Sequence, residues 1–458
     1  MNRREFFRQA FTLGLGSKLP GPGPQAKPKP VGGVAGGRFL TINLLVRVNQ
    51  IEAGRGKNLG EDESRWHTLD NVRKLRVAIA RAVPGAKVGW GFSPLALTDP
   101  RDNYRAIREY ALECHAEKGD EPTLTIGGFF ANMHNTREEV DRDIADGLAA
   151  LADWVGGAYK PRFAIAGFLS AANLKTLADK HGVRACQGHM WSQHAIDLGD
   201  SDGSIAYPYY PSTEHSLKPA QGKADRIDCL NLDGWTVDFL AARRAGTGPG
   251  FNSRLGLGPI EALYQGNMPI AQGLFEMMET ASAHYDRGFQ LNGFGWCTLA
   301  WEASLLGQFG DRTPEFEKFL REAAARWDGL RVVSMGEFAE AFRREHKDNS
   351  GLVYRFLQRG TGVFGSDAEL EIRWHMDRRL RLAILRDWTE RTPWKVIDLT
   401  RYDLPAKEPE RPQRDWSLMN RINQKGLRPQ DRPRPFEELA PEDREYAREA
   451  YEGLLKID

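Results

Sequence analysis

The sequence has no excess charge of either sign. Its 63 Lys and Arg stand against 62 Asp and Glu, a formal net charge of +1 over 458 residues. That balance excludes a polyanion binder as the default reading. No run of about 18 apolar residues is present, so no conventional membrane span is expected. Cysteine is scarce: Cys114, Cys186, Cys229 and Cys297 lie far apart and form no Cys-x-x-Cys, which leaves a zinc ribbon or thioredoxin-type site unsupported. Each lies in or beside an apolar segment, the setting of a buried free thiol. No Gly-x-Gly-x-x-Gly follows the first predicted strand, so a dinucleotide fold lacks its fingerprint. What is present is a 41% hydrophobic chain, ample for a large core. Its length suits one large domain and one or two smaller pieces.

The charge is unevenly spread. Residues 1–38 carry seven basic residues and one acid, a surplus of +6, and the remainder is −5. The start pairs Arg3 and Arg4 ahead of Phe6 and Phe7, then a short Gly-containing apolar stretch, which resembles a twin-arginine export signal. Five prolines between Pro20 and Pro30 predict an extended linker. Export to the periplasm or beyond is the expectation, with a cytoplasmic protein as the alternative. Residues 1–37 are read as leader and linker.

From residue 38 to 348 strand-like and helix-like runs alternate. Strands are predicted at 39–46, 87–92, 123–130, 162–169, 182–187, 226–232, 289–296 and 330–333. Helices are predicted at 67–83, 100–118, 135–155, 172–180, 259–287, 314–327 and 336–346. Thr136 and Glu139 have capping-box spacing. Seven or eight βα units in a row predict a (β/α) barrel. Residues 349–404 read as a small β-rich domain, and 405–458 as a Pro- and charge-rich tail with a terminal helix near 441–455.

Barrel sites lie at the C-terminal ends of the strands. There the sequence offers Arg47, Asn49 and Glu52, then Trp90, Asn132 and His134. The stretch 189–211 follows, with His189, Trp191, Gln193, Asp202, Tyr207, Tyr209 and Tyr210. Asp233, Trp235, Trp301 and Glu302 complete the set. Tryptophan faces beside hydroxyl-binding Asn, Gln, His and Asp are what a carbohydrate cleft needs. The alternative for these tryptophans is that they cap the barrel core. Glycoside hydrolysis needs two carboxyl groups flanking one bond, and Asp233 and Glu302 are the candidate pair. Asp202 and His134 are further catalytic candidates. Asn49, Glu52, Trp90, Asn132, His189, Trp191, Gln193, Tyr207, Tyr209, Tyr210, Trp235 and Trp301 are the candidate substrate contacts. A divalent metal has no motif: His189 and His194 are five apart, and Asp200-x-Asp202-Gly203 lacks the final Glu of a calcium loop. No cofactor is expected to be required. The expected partner is a glycan, with no nucleic acid.

Several strings resemble a bacterial family placed in the glycoside hydrolase/deacetylase superfamily. They are Gly89-Trp90-Gly91-Phe92-Ser93, the run Gly127 to Asn132 with Asn135-Thr136-Arg137, and Trp191-Ser192-Gln193 with Asp197. Asp202-Gly203-Ser204, Tyr207-Pro208-Tyr209-Tyr210-Pro211-Ser212, Asn231 to Trp235, Asn252-Ser253-Arg254 and Gly258-Pro259 continue the match. The resemblance implies a deacetylase-like barrel with a β-rich C-terminal domain over about residues 39–400. It departs from NodB-type deacetylases, which carry an Asp-Asp pair after the first strand and a His-x-x-x-His pair. Here Asn49-Gln50 stands where the acids are expected, and no two histidines are four apart. A glycoside hydrolase-like enzyme using paired carboxylates is the first expectation. A polysaccharide deacetylase and a non-catalytic glycan-binding protein are the alternatives.

Overall fold

The computed structural model describes residues 32–53, 57–189, 201–243, 254–258, 262–264, 268–418 and 433–457. Strand β1 (Arg38–Val46) alternates two kinds of side chain. Leu40, Ile42, Leu44 and Val46 belong to a core shared with helix residues such as Val72, Leu75, Phe316 and Leu320. Thr41 and Asn43 point to the opposite face, because successive side chains of a strand alternate. That face is the inside of a curled parallel sheet. Asn43 of β1 donates to Gln187, and Gln187 Nε2 donates to Thr298 Oγ1 (3.0 Å) and the Gly234 carbonyl (2.7 Å), bonds that span non-adjacent strands. The interior therefore carries a buried polar network centred on Gln187, whose amide oxygen and nitrogen are both bonded.

After β1, β2 (Asn49–Ala53) and β3 (Lys57–Asp62) form an antiparallel hairpin. The parallel strands that follow are β4 (Gly89–Phe92), β5 (Glu121–Phe130), β6 (Ala164–Gly167), β7 (Ala185–Gln187), β8 (Leu230–Leu232), β9 (Gly295–Glu302) and the short β10 (Leu330–Val333). β1 pairs along its length with β9. On its other edge β10 pairs with its first half and β4 with its second, and the order continues β4-β5-β6-β7-β8. The Thr236 amide donates to the Thr298 carbonyl (2.9 Å), drawing the β8 and β9 edges together. This is the α/β barrel the alternation predicts. Helices Leu69–Ala82, Asp102–Lys118, Arg137–Val155 and Thr313–Arg326 cover its outside. Thr136 and Glu139 form the expected reciprocal cap. All four cysteines are free and buried. Among the described residues no helix is long and apolar enough to cross a membrane.

Two elements differ from expectation. Residues 289–292 are helical, and Gly293, at φ 75°, ends that helix in the left-handed region glycine tolerates. β9 therefore starts at Gly295, six residues later than predicted, and Trp296 lies at the start of the strand rather than at its C-terminal end. The helix read at 259–287 is, in its described part, Ile270–Ser282 followed by a π turn at Ala283–Gly288.

The C-terminal region is an antiparallel meander of β11 (Val353–Arg359), β12 (Leu370–Asp377), β13 (Leu380–Asp387) and β14 (Lys395–Arg401). One face, with Tyr354, Phe356, Trp374, Met376 and Ile397, packs against Tyr207, Phe239 and Phe294 of the barrel. The other, with Leu382, Ile384 and Val396, is covered by Ala447, Ala450 and Leu454 of the terminal helix Pro441–Leu455. The terminal helix is thus part of this module's core.

Candidate active site at the barrel mouth

Alternation along β1 and β9 decides which strand-end residues face the mouth. Arg47 continues the inward series Thr41–Asn43–Leu45, and Glu302 continues Trp296–Thr298–Ala300. The two side chains meet: Arg47 Nη2 lies 3.0 Å from Glu302 Oε1 and 2.6 Å from Glu63 Oε1. Arg47 Nε also donates to Glu63, and Nη1 to the Gly128 carbonyl (3.0 Å). The Tyr104 hydroxyl donates to the Arg47 carbonyl (2.9 Å). Burial alone would lower the Arg47 pKa, but Glu302 and Glu63 reverse this and hold it above its ordinary value. Burial would raise Glu63, and Arg47 with His67 beside it holds Glu63 well below the usual carboxylate range. Arg47 and Glu63 are buried, whereas the Glu302 side chain keeps 15% exposure.

The floor beside this cluster is strained. Gly127, Gly128 and Phe129 all have positive φ (61°, 63° and 97°). A Cβ at Gly128 would lie 3.1 Å from the Gln50 carbonyl oxygen and the Glu52 amide nitrogen, so the hairpin crosses β5 closely there. A phenylalanine at φ 97° is costly backbone that surrounding packing must hold. Phe129 stacks face to face on Trp235 (5.9 Å, 3°), and the Arg254 guanidinium lies 4.6 Å over the Trp235 ring. Asp233 is the first residue after β8, buried like Trp235. Asp233 and Glu302 thus leave the two strands drawn together at Thr236 and Thr298. His189, just past β7, packs edge-on against Phe168, and its Nε2 lies 3.2 Å from Ser216 Oγ. Burial pushes its pKa down to about 3, so it is neutral and cannot serve as an acid near neutrality.

Other candidates are placed elsewhere, and packing explains each. Trp90 and Trp301 lie on the outward face of β4 and β9. Trp90 donates its indole N–H to Asp120 (3.0 Å), and Trp301 packs on Phe316 (4.6 Å) under the helices, so neither offers a ring to a ligand at the mouth. Asp202 is 2.7 Å from Arg381 in the seam between barrel and C-terminal sheet, which gives it a structural charge to balance rather than a substrate. Tyr207 is buried in that seam, its hydroxyl 2.9 Å from His284 Nδ1. Tyr209 donates to the Ser216 carbonyl and accepts from Asn231. Tyr210 donates to the His346 carbonyl. Asn132 Oδ1 accepts the Ser170 amide (2.8 Å), tying the ends of β5 and β6. Glu52 accepts from Ser93 Oγ (2.6 Å) and the Val48 amide (3.1 Å), and burial lifts its pKa to about 7. Asn49 is buried in the hairpin. His134 is half-buried on the one-turn helix after β5, with a pKa lowered by burial and by Arg414. Trp191 and Gln193 lie outside the described residues.

Sequence reasoning placed Arg47 at the end of the first strand without giving it a catalytic or substrate-binding role, and left Glu63 and Arg254 out of the site. The inward parity of Arg47 was the available signal. Glu63 reaches it only because the hairpin folds back.

The Arg47 guanidinium supplies the positive charge between Glu302 and Glu63. Among the described residues, no three His, Cys, Asp or Glu side chains form a cluster that could hold an ion.

Residues 32–376 match the family described as a domain of unknown function with a solved structure, DUF3863. The chain belongs to the DUF3863 family. Residues 381–454 match a second family of the same description, DUF3864. The junction of the two falls inside the C-terminal sheet, between β12 and β13, which pair along their length. The chain is similar to a candidate glycoside hydrolase/deacetylase from Parabacteroides distasonis, at 44% identity over 93% of this chain and 100% of that one, with a TM-score of 0.86. Candidate polysaccharide deacetylases from Mycobacterium smegmatis and Pseudomonas aeruginosa are far more distant. They share 15% and 13% identity over 72% and 68% of this chain and 96% and 92% of theirs, with TM-scores of 0.38 and 0.43. A search of the curated proteins found no match.

Proposed function

We propose that this protein is a carbohydrate-active hydrolase whose reaction is carried by Glu302 and Asp233 at the barrel mouth. The observation that carries the reading is the Glu302 carboxylate, held 3.0 Å from a buried guanidinium yet partly open to solvent. A carboxylate paired with a fixed positive charge stays ionised, the state of a base or nucleophile. Asp233, leaving the neighbouring strand, is the partner that gives a proton to the leaving oxygen. Trp235, braced on Phe129, forms the apolar wall of the cleft. The 44% identical Parabacteroides distasonis protein, a candidate glycoside hydrolase/deacetylase, supports the carbohydrate class.

The experiment is turnover on a broad glycan panel, following reducing ends and released acetate in parallel. Reducing ends without acetate are expected, and their release should vanish in Glu302→Gln. Acetate alone would replace glycoside hydrolysis with deacetylation at the same mouth. Glycan binding without turnover of any substrate, retained in Asp233→Asn and Glu302→Gln, would replace catalysis with binding. Export by the paired-arginine leader belongs to the same proposal. Residues 1–31 lie outside the described residues, and N-terminal sequencing of protein from fractionated cells tests it. A mature chain lacking Arg3 and Arg4 in the exported fraction is expected; a cytoplasmic chain retaining them contradicts it.

A further inference from the structure

A cavity of about 410 Å³ lies at the foot of the barrel, the end opposite the mouth. Asp228, two residues before β8, marks that end. So do Arg343 and Lys347, at and beyond the C-terminus of helix Met335–Glu345, which returns from β10. Its two acids are already balanced. Asp228 sits between Arg343 (2.9 Å) and Arg184 (3.1 Å), and Glu340 takes Arg162 (3.1 Å). Three of its cations meet main-chain carbonyls, Arg344 Nε donating to that of Gly32 (2.7 Å). Arg226 donates to the Lys347 carbonyl, and Lys347 Nζ to that of Arg343 (2.6 Å). Arg343 Nη1 is buried with no hydrogen-bond partner, an arrangement that costs free energy unless something accepts from it.

Tyr210 organises the cluster. Its hydroxyl is fixed on the His346 carbonyl (2.8 Å), and the guanidinium carbons of Arg226 and Arg343 lie 5.3 and 5.6 Å from its ring centre. Two guanidinium forks are thus set on one aromatic ring beside a lysine. Basic residues near a helix C-terminus also complement its dipole. That explains Lys347, but neither the buried unmet N–H nor the contribution of Arg226 from a separate segment.

We propose that this cavity binds the phosphate or sulfate group of a small molecule. Arginine forks match tetrahedral oxyanions in charge and in donor geometry. The volume is within the roughly 300–1,000 Å³ of small-molecule sites. The site is separate from the mouth and does not rest on the proposed reaction.

The test is calorimetric titration of the full chain with inorganic phosphate and with sulfate, using chloride at matched ionic strength as control. Saturable binding is expected, weakened about tenfold or more in Arg226→Gln and in Arg343→Gln, with no change in turnover at the mouth. Arg226 is partly exposed, so Arg226→Gln carries the test if Arg343→Gln fails to fold. Glucose 6-phosphate binding tighter than phosphate identifies an ester as the ligand; equal affinity identifies the free anion. No heat and no thermal stabilisation with any of the three, or equal affinity in wild type and Arg226→Gln, overturns the proposal.

Discussion

Among the described residues, two buried guanidiniums each bridge two carboxylates. At the seam, Arg381 holds Asp202 (2.7 Å) and Asp398 (2.6 Å), whose side chains are 5% and 0% exposed. At the mouth, Arg47 holds Glu63 and Glu302, and Glu302 remains 15% exposed. The ionic motif is the same, but only one has a carboxylate that a substrate can reach. Closing all partners from water makes the cluster a joint between domains; leaving one at the rim makes it a candidate catalytic site. Perturbed charges alone would not separate the two, since structural ion-pair networks perturb ionisation as well.

Removing the seam cation should have the largest effect. Arg381→Met strands two buried carboxylates and should cost about 3–5 kcal/mol, read as a loss of denaturant midpoint. A variant as stable as wild type would show that the seam is not held by this charge. Next comes Glu52, which shares the hairpin with the mouth but is bonded like a structural group. Its folded pKa of about 7 stands above the ordinary 4.5 because burial disfavours the charged form. The stability this group contributes is therefore complete below pH 4.5 and lost as pH rises through 7. Glu52→Gln, neutral throughout, should abolish that fall, a difference on the order of 3 kcal/mol across the window. Parallel stability curves for variant and wild type would place the charge of Glu52 in water.

Smaller effects sharpen the contrast. Arg47→Lys keeps the charge but cannot hold Glu63, Glu302 and the Gly128 carbonyl together. Turnover should fall about a hundredfold, the scale of a misplaced reacting group, with little change in KM. Unchanged turnover would remove Arg47 from positioning Glu302. Trp90→Phe should cost only about 1 kcal/mol, from the lost bond to Asp120, and leave turnover intact. A loss of glycan affinity in that variant would return Trp90 to the cleft.

The barrel was legible because alternating strand and helix runs are local signals, as is the Thr136–Glu139 cap. The site was legible only in part. Trp90, Trp296 and Trp301 are indistinguishable as tryptophans near strand ends, but their fate depends on strand parity and on where β9 begins. Gly293 sets that start, and its helix-ending role was hidden by the apolar residues around it. The seam rests on Arg381 meeting Asp202, 179 residues away in sequence, a pairing no spacing announces. The same distance effect left Asp202 among the catalytic candidates. The family boundary between β12 and β13 teaches a related lesson: two sequence segments, DUF3863 and DUF3864, share one sheet. Neither segment completes that sheet alone.

The most direct test compares Glu302→Gln with Asp202→Asn at equal concentrations of folded protein. Glu302→Gln should lose turnover about a thousandfold or more, the scale of a lost catalytic acid or base, while keeping its denaturant midpoint. Asp202→Asn should lose stability and keep its turnover per folded molecule. Turnover surviving in Glu302→Gln, or lost in fully folded Asp202→Asn, would contradict the assignment of the mouth as catalytic and the seam as structural.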